Sequence, residues 1–226
     1  MSRKPRFSPG GIAYHVMNRT WGGVELFQDS GDYEAFERVM AEAISRDSAM
    51  RLCAYCLMPN HFHLVLWSHR DADLSRWMQW LLTAHVRRYH RHYASSGHVW
   101  QGRFKAFPIQ QDEHLLAVLR YVERNPLRAN LVARAEMWAW SSLSWRASGS
   151  RGKRPAMLAK WPVPCPRDWI AHVNEPQTEA ELAALRRSLQ RGAPFGEAGW
   201  AQRTAARLGL ESSLRPRGRP RRAAEK

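Results

Sequence analysis

Apolar and polar positions alternate over residues 12–19 (IAYHVMNR), which predicts a first strand. The next apolar set has a different period. Tyr33, Phe36, Val39, Met40, Ala43 and Ile44 recur at helical spacing behind Asp29 and Ser30, two residues suited to cap a helix start. Residues 51–57 and 61–67 read as two further strands. Met58, Pro59 and Asn60 between them supply turn chemistry, so a hairpin is expected. Residues 74–93 form a second helical pattern that ends among Arg87, Arg88, His90, Arg91 and His92. Cations at that end complement the helix dipole, so part of this pattern needs no function. After a break at Gly97, residues 99–110 (VWQGRFKAFPIQ) predict a fourth strand with irregular flanks. Leu115, Leu119 and Val122 form the apolar stripe of a third helix over 112–125, and Pro126 disfavours helical geometry at Asn125, which marks a boundary. The order is strand, helix, strand, strand, helix, strand, then a further helix. It predicts an α+β fold with a small antiparallel sheet and helices packed on one face.

Beyond residue 147 the character changes. Residues 148–154 are a Gly/Ser/basic linker, and Pro155, Pro162, Pro164 and Pro166 make the next stretch non-helical. Residues 179–190 and 197–208 can form short helices, and 214–222 (LRPRGRPRR) are low in complexity and strongly basic. A division into a core of 1–147 and an extension of 148–226 follows. The length of 226 residues fits one domain with an appendage better than two full domains.

Charge narrows the class. Lys and Arg number 35 against 20 Asp and Glu, a formal net charge of +15. That favours a polyanionic partner, most often nucleic acid; the plain alternative is a basic surface that serves solubility. Cys53, Cys56 and Cys165 do not make a disulfide framework. The start, MSRKPRFSPGG, lacks the apolar stretch of a secretory signal, and no apolar run reaches the roughly 18 residues of a membrane span. A cytoplasmic, nucleoid-associated protein is expected.

The sharpest chemical feature is His61-Phe62-His63. On a strand, residues two apart share a face, so both imidazoles project together while Phe62, Leu64 and Leu66 face a core. Such a pair can bind a divalent cation; it can equally be two strand histidines with no ligand. Tyr121 and Asn125 lie four apart on the third helix and share a face. Asn125 can offer a carbonyl oxygen to Mg2+ or Mn2+, and Tyr121 is a nucleophile only if its surroundings activate it. A surface tyrosine followed by a capping asparagine is the ordinary alternative. Basic and aromatic residues interleave at 89–93 and at 100–105, a mixture that suits unpaired bases and a phosphate backbone, although most of the 11 tryptophans belong to packing. Arg87, Arg88, Arg103 and Lys105 are the candidate DNA contacts of the core.

Four further features are weaker. Pro216-Arg217-Gly218-Arg219-Pro220 looks like an AT-hook core, in which Arg217 and Arg219 enter a narrow minor groove of A·T-rich duplex; a basic tail with unspecific phosphate contacts is the alternative. Cys53 and Cys56 are three apart, which on a regular strand sends the thiols to opposite faces and sets aside a metal role. His114, seven residues before Tyr121, can assist proton transfer or be incidental, and His15 is read as strand surface or core.

The stretches 58–64 (MPNHFHL) and 121–129 (YVERNPLRA), with Tyr14-His15-Val16, Asn18-Arg19, Trp100-Gln101, Arg103-Phe104 and Trp140-Ser141-Ser142, resemble the single-tyrosine HUH transposases. More closely they resemble the REP-associated tyrosine transposases, over residues 8–147 and less fully in the tail. The resemblance implies a ferredoxin-like βαββαβ core with an added tyrosine-bearing helix. It implies metal-dependent cleavage and rejoining of single-stranded DNA at hairpin-forming palindromic repeats. By position, His61, His63 and Asn125 would hold Mg2+ or Mn2+, and Tyr121 would form a 5′-phosphotyrosine link. Relatives include helix-exchanging dimers and monomers, and the sequence leaves that open. Two other readings remain: a DNA- or RNA-binding regulator that no longer cleaves, and a replication-type nickase. The second is disfavoured because no G-x-x-x-x-G-K motif occurs.

Overall fold

The computed structural model describes residues 8–47, 49–148 and 157–215. Four strands, β1 (Ile12–Arg19), β2 (Met50–Met58), β3 (His61–Ser68) and β4 (Lys105–Ile109), form one sheet in the order β2-β3-β1-β4. Every neighbouring pair is antiparallel. The helices α1 (Ser30–Arg46) and α2 (Asp73–His92) connect β1 to β2 and β3 to β4. This is the expected α+β, ferredoxin-like arrangement.

Local chemistry explains the elements. Asp29 caps α1 by accepting from the Asp32 backbone N–H at 3.1 Å. Pro59 and Asn60 turn β2 into β3. Pro108 sits inside β4, which is tolerable because β4 is an edge strand. Its carbonyl accepts from Phe195 N at 2.9 Å, so the extension covers part of that edge.

Alternation splits the sheet into two apolar faces. Tyr14, Val16, Leu57, Phe62, Leu64 and Leu66 pack against Phe36, Met40, Trp77 and Leu81 of α1 and α2. Ala13, Cys56, Met58, Val65, Phe107 and Ile109 face the other way, onto Leu115, Val118, Leu119 and Val122 of the tyrosine-bearing helix α3 (Glu113–Glu123). Fully burying one such side chain stabilises by roughly 1.5–3 kcal/mol.

After α3 come α4 (Asn125–Arg128), α5 (Ser142–Ala147), α6 (Trp169–Asn174), α7 (Glu179–Arg191), α8 (Ala198–Leu208) and α9 (Glu211–Leu214). Trp169, Val173, Leu182 and Leu185 of α6 and α7 enter the second core beside α3. The extension thus shares a core with the sheet. Among the described residues, no helix is long and apolar enough to cross a membrane.

Three expectations change. The fourth strand covers only Lys105–Ile109. Before it the chain crosses the end of the sheet: Trp100 bridges Thr20, and Gln101 N donates to Arg19 O at 2.9 Å. The third helix stops at Glu123, but helical geometry resumes at once in α4, where Pro126 occupies the first turn and needs no N–H partner. Finally, a bulge between Leu52 and Ala54 resets the alternation of β2, so Cys53 and Cys56 both join the second core. The two thiols therefore do not lie on opposite faces. Burial nevertheless pushes the Cys53 thiol up to about 12 and Cys56 well above its usual range, so both are apolar packing groups. The AT-hook-like segment, with Arg217 and Arg219, and most of the linker lie outside the described residues.

Candidate active site

The sheet registers place the two histidines. Arg19, His61 and Met58 form one cross-strand row; Lys105, Met17, His63 and Cys56 form the next. Directly opposed residues share a face, so both imidazoles point to the α3 side. His61 is half-buried and His63 buried, with ring centroids 5.0 Å apart.

Hydrogen bonds fix the His61 tautomer. Asn60 Nδ2 donates to Gly23 O at 3.1 Å, which turns Asn60 Oδ1 toward His61 Nδ1 at 2.7 Å. That oxygen can only accept, so Nδ1 carries the proton and Nε2 keeps its lone pair. His63 Nδ1 lies 2.9 Å from His15 Nε2, on the diagonal position of β1. This also leaves Nε2 of His63 uncommitted.

Burial first, then the charges of Arg19 and Arg128, lowers His61 to about 4. His63 is held well below the ordinary range by burial, with His15, His61, Arg128 and Arg19 adding to it. Burial alone lowers His15 to about 3. All three are neutral at pH 7, the state in which imidazole ligates metals.

The apolar stripe of α3 drives that helix onto the sheet and brings Tyr121 with it. The Tyr121 ring stands 5.9 Å from that of His63 and 6.2 Å from that of His15, edge-on to both. Tyr121 is buried. Asn125, also buried, opens α4 one turn later. Its Oδ1 accepts from Arg128 Nη2 at 2.8 Å, and the Arg128 guanidinium lies 4.1 Å from the Tyr121 ring centroid. The imidazole pair therefore fits a divalent cation: both rings are neutral and aimed to one side, and the tautomer of His61 is set by Asn60. Asn125 Oδ1 fits less simply, because one lone pair is taken and one remains.

A buried carboxylate anchors α3. Glu123 accepts from Ser142 Oγ at 2.6 Å, Arg146 Nε at 3.1 Å and Trp169 Nε1 at 2.6 Å. Arg120 Nη2 donates to Glu175 O at 2.8 Å, and Arg124 Nη1 to Val173 O at 2.9 Å. Three residues close together at the end of α3 thus tie the tyrosine helix to α5, α6 and the chain after α6.

The remaining candidates are dispersed. Lys105 is exposed and shares the row and face of His63. Arg103 is exposed on the segment crossing the sheet end. Arg87 and Arg88 lie on α2, across the sheet from Tyr121. The C-terminal turns of α2 come back to the His61 end, because Tyr89, His90 and Tyr93 line a cavity with Thr20 and Trp21. His114 is not gathered into the site: its Nδ1 is 2.9 Å from Asp112 Oδ1 and its ring packs on Phe195. Asp112, Glu113 and His114 form an acidic cluster at the start of α3, where Asp112 already serves as the cap.

Sequence patterns alone did not single out the parts of His15, Asn60 and Arg128. Signals existed: His15 shares strand parity with Met17, and Arg128 follows Asn125 by three residues.

Residues 10–125 match the model of a family described as IS200-like transposases. No curated protein matches the chain. Among solved structures, a REP-associated tyrosine transposase bound to a REP hairpin is similar in fold, with a TM-score of 0.53 and 16% identity over 79% of this chain and 100% of that one. A candidate transposase from Deinococcus radiodurans gives a TM-score of 0.37 at 19% identity, over 54% of this chain and 96% of that one.

Proposed function

This chain belongs to the IS200-like transposase family, and from that premise we propose that it cleaves and rejoins single-stranded DNA at hairpin-forming palindromic repeats. In this reading Tyr121 is the nucleophile. His61, His63 and Asn125 hold a divalent cation, Mg2+ or Mn2+. The observation that carries the reading is the convergence of Tyr121 with His61 and His63 on one face of the sheet, the ring of Tyr121 5.9 Å from that of His63.

The chemistry is a transesterification. Tyr121 Oη bonds to phosphorus and gives up its proton. The bond from phosphorus to the 3′ oxygen breaks, and that oxygen leaves as a 3′-hydroxyl once protonated. The product is a 5′-phosphotyrosine, and attack by another 3′-hydroxyl reverses the step without ATP. A bound cation would supply charge withdrawal from the phosphate. The chain's own part is positional. Asn60 and His15 orient the imidazoles, α6 and Glu123 fix the height of α3, and the packed second core excludes water from one side of Tyr121.

Arg103, Lys105, Arg87 and Arg88 would contact the DNA backbone at the His61 end of the sheet, and the net charge of +15 supports such contact. The REP hairpin bound by the similar solved structure supports a folded single strand as substrate. Arg217 and Arg219 would add contact to A·T-rich duplex, in a protein acting at the nucleoid.

A denaturing gel tests the reading. Wild-type and Tyr121→Phe protein are mixed with labelled hairpin oligonucleotides taken from palindromic repeats flanking the gene, with Mg2+, Mn2+ or chelator. A metal-dependent, protease-sensitive adduct formed by the wild type alone is expected. Tight hairpin binding with no adduct would favour the non-cleaving regulator.

A further inference from the structure

We propose that Arg128 holds the scissile phosphate: its guanidinium, which lies over the Tyr121 ring, supplies the anion-binding donors of the site. This rests on the cleavage reading for the identity of the phosphate, and on geometry for the anion site itself.

The geometry is that of a cation without a counterion. Nη2 of Arg128 donates to Asn125 Oδ1 at 2.8 Å, and the central guanidinium carbon lies 4.1 Å from the centre of the Tyr121 ring. Nη1 is buried and has no hydrogen-bond partner. The same holds for Nδ2 of Asn125, so two orphaned donors lie on one short turn. Among the described residues, no carboxylate forms an ion pair with Arg128. The buried carboxylate nearest in sequence, Glu123, is engaged instead by Ser142, Arg146 and Trp169.

The electrostatic surroundings are neutral or positive. Burial, the largest cause, holds the Arg128 guanidinium below its usual proton affinity; Tyr121 and Cys56 oppose that shift, and Arg186 repels the guanidinium. Arg19 adds a second positive charge beside the two imidazoles. Burying an unpaired charge and its donors is costly unless something of opposite charge completes the site. A phosphodiester does so. Its non-bridging oxygens match the guanidinium fork, and they gain charge as the Tyr121 oxygen bonds to phosphorus. Arg128 is then a catalytic residue whose contact strengthens toward the transition state.

The test is a binding cycle that needs no cleavage. Tyr121→Phe protein is titrated with labelled hairpin oligonucleotides in which each phosphate of the single-stranded foot is replaced, one at a time, by an uncharged methylphosphonate. One position is expected to weaken binding by roughly 10- to 100-fold, the size of a charged hydrogen-bonded contact. In Tyr121→Phe/Arg128→Met protein that position should have no effect. The same penalty in both proteins overturns the proposal. Should Arg128→Met fail to fold, Arg128→Lys carries the test: its penalty falls severalfold if the two-pronged guanidinium holds the phosphate, and is unchanged if it does not. The wild-type adduct assay on all-phosphate DNA separates the two ideas. A sensitive phosphate without adduct sinks the cleavage reading and keeps the anion site; adduct without a phosphate sensitive to Arg128 does the reverse.

Discussion

His15 Nε2 and His63 Nδ1 meet at 2.9 Å across the β1–β3 pair, inside a core that excludes water from both rings. One nitrogen donates and the other accepts, so neither ring can turn freely. His15 also packs on Phe107, ring centroids 4.9 Å apart. A ligand whose second nitrogen is held in this way presents its first in a fixed direction. His15→Phe fills the same space and removes the hydrogen bond. It should weaken Mn2+ binding by roughly 10- to 100-fold, read by titration of the free ion's electron paramagnetic resonance signal. Unchanged affinity with an intact fold would remove His15 from a positioning role.

Acid should unfold this protein through its histidines. His15 sits at about 3, His61 and His85 at about 4, and His63 well below 6.5, burial being the first cause of each. An unfolded chain protonates them near pH 6.5. Between that value and the folded ones, the unfolded state binds more protons. Stability is therefore complete above about pH 6.5 and is lost as pH falls toward 4, by up to about 1.4 kcal/mol per pH unit for each histidine. The melting temperature should fall steadily from pH 7 to pH 5. His85→Phe, on the α2 side of the sheet, should flatten that fall. A melting temperature independent of pH would contradict the neutral burial of these rings.

The tyrosine helix should loosen when its anchor is cut. Trp169→Phe leaves Glu123 Oε2 without its indole donor in a dry site. The expected loss is about 1–3 kcal/mol in urea unfolding. Glu123→Ala should lose more, about 3–5 kcal/mol, because Arg146 then stays half-buried with no carboxylate partner. Equal stability in both variants would mean that the extension packs on α3 through its apolar contacts alone.

Lys105 offers a salt test. It is exposed and stands in the row of His63. Lys105→Ala should lower the slope of log affinity for hairpin DNA against log salt by about one. An unaltered slope would take Lys105 out of the interface.

Much of this protein was legible from its sequence. Periods of 2 and 3.6 gave the strands and helices, because one face of each must leave water. The parity of His61 and His63 followed from strand geometry alone, and the spacing of Tyr121 and Asn125 from helix geometry. What needed the tertiary structure was everything set by distant segments meeting. The bulge at residue 53 overrides strand parity, and nothing local announces it. Residues 99–104 read as strand in the sequence but lie outside β4, with Trp100 packed in the first core. His15 meets His63 across 48 residues of chain, and Trp169 meets Glu123 across 46. Such contacts depend on register and packing, which fix side chains relative to one another only when the whole core closes. The sequence decides which residues can do chemistry; the closed core decides which nitrogen faces the site and which donor is left without a partner.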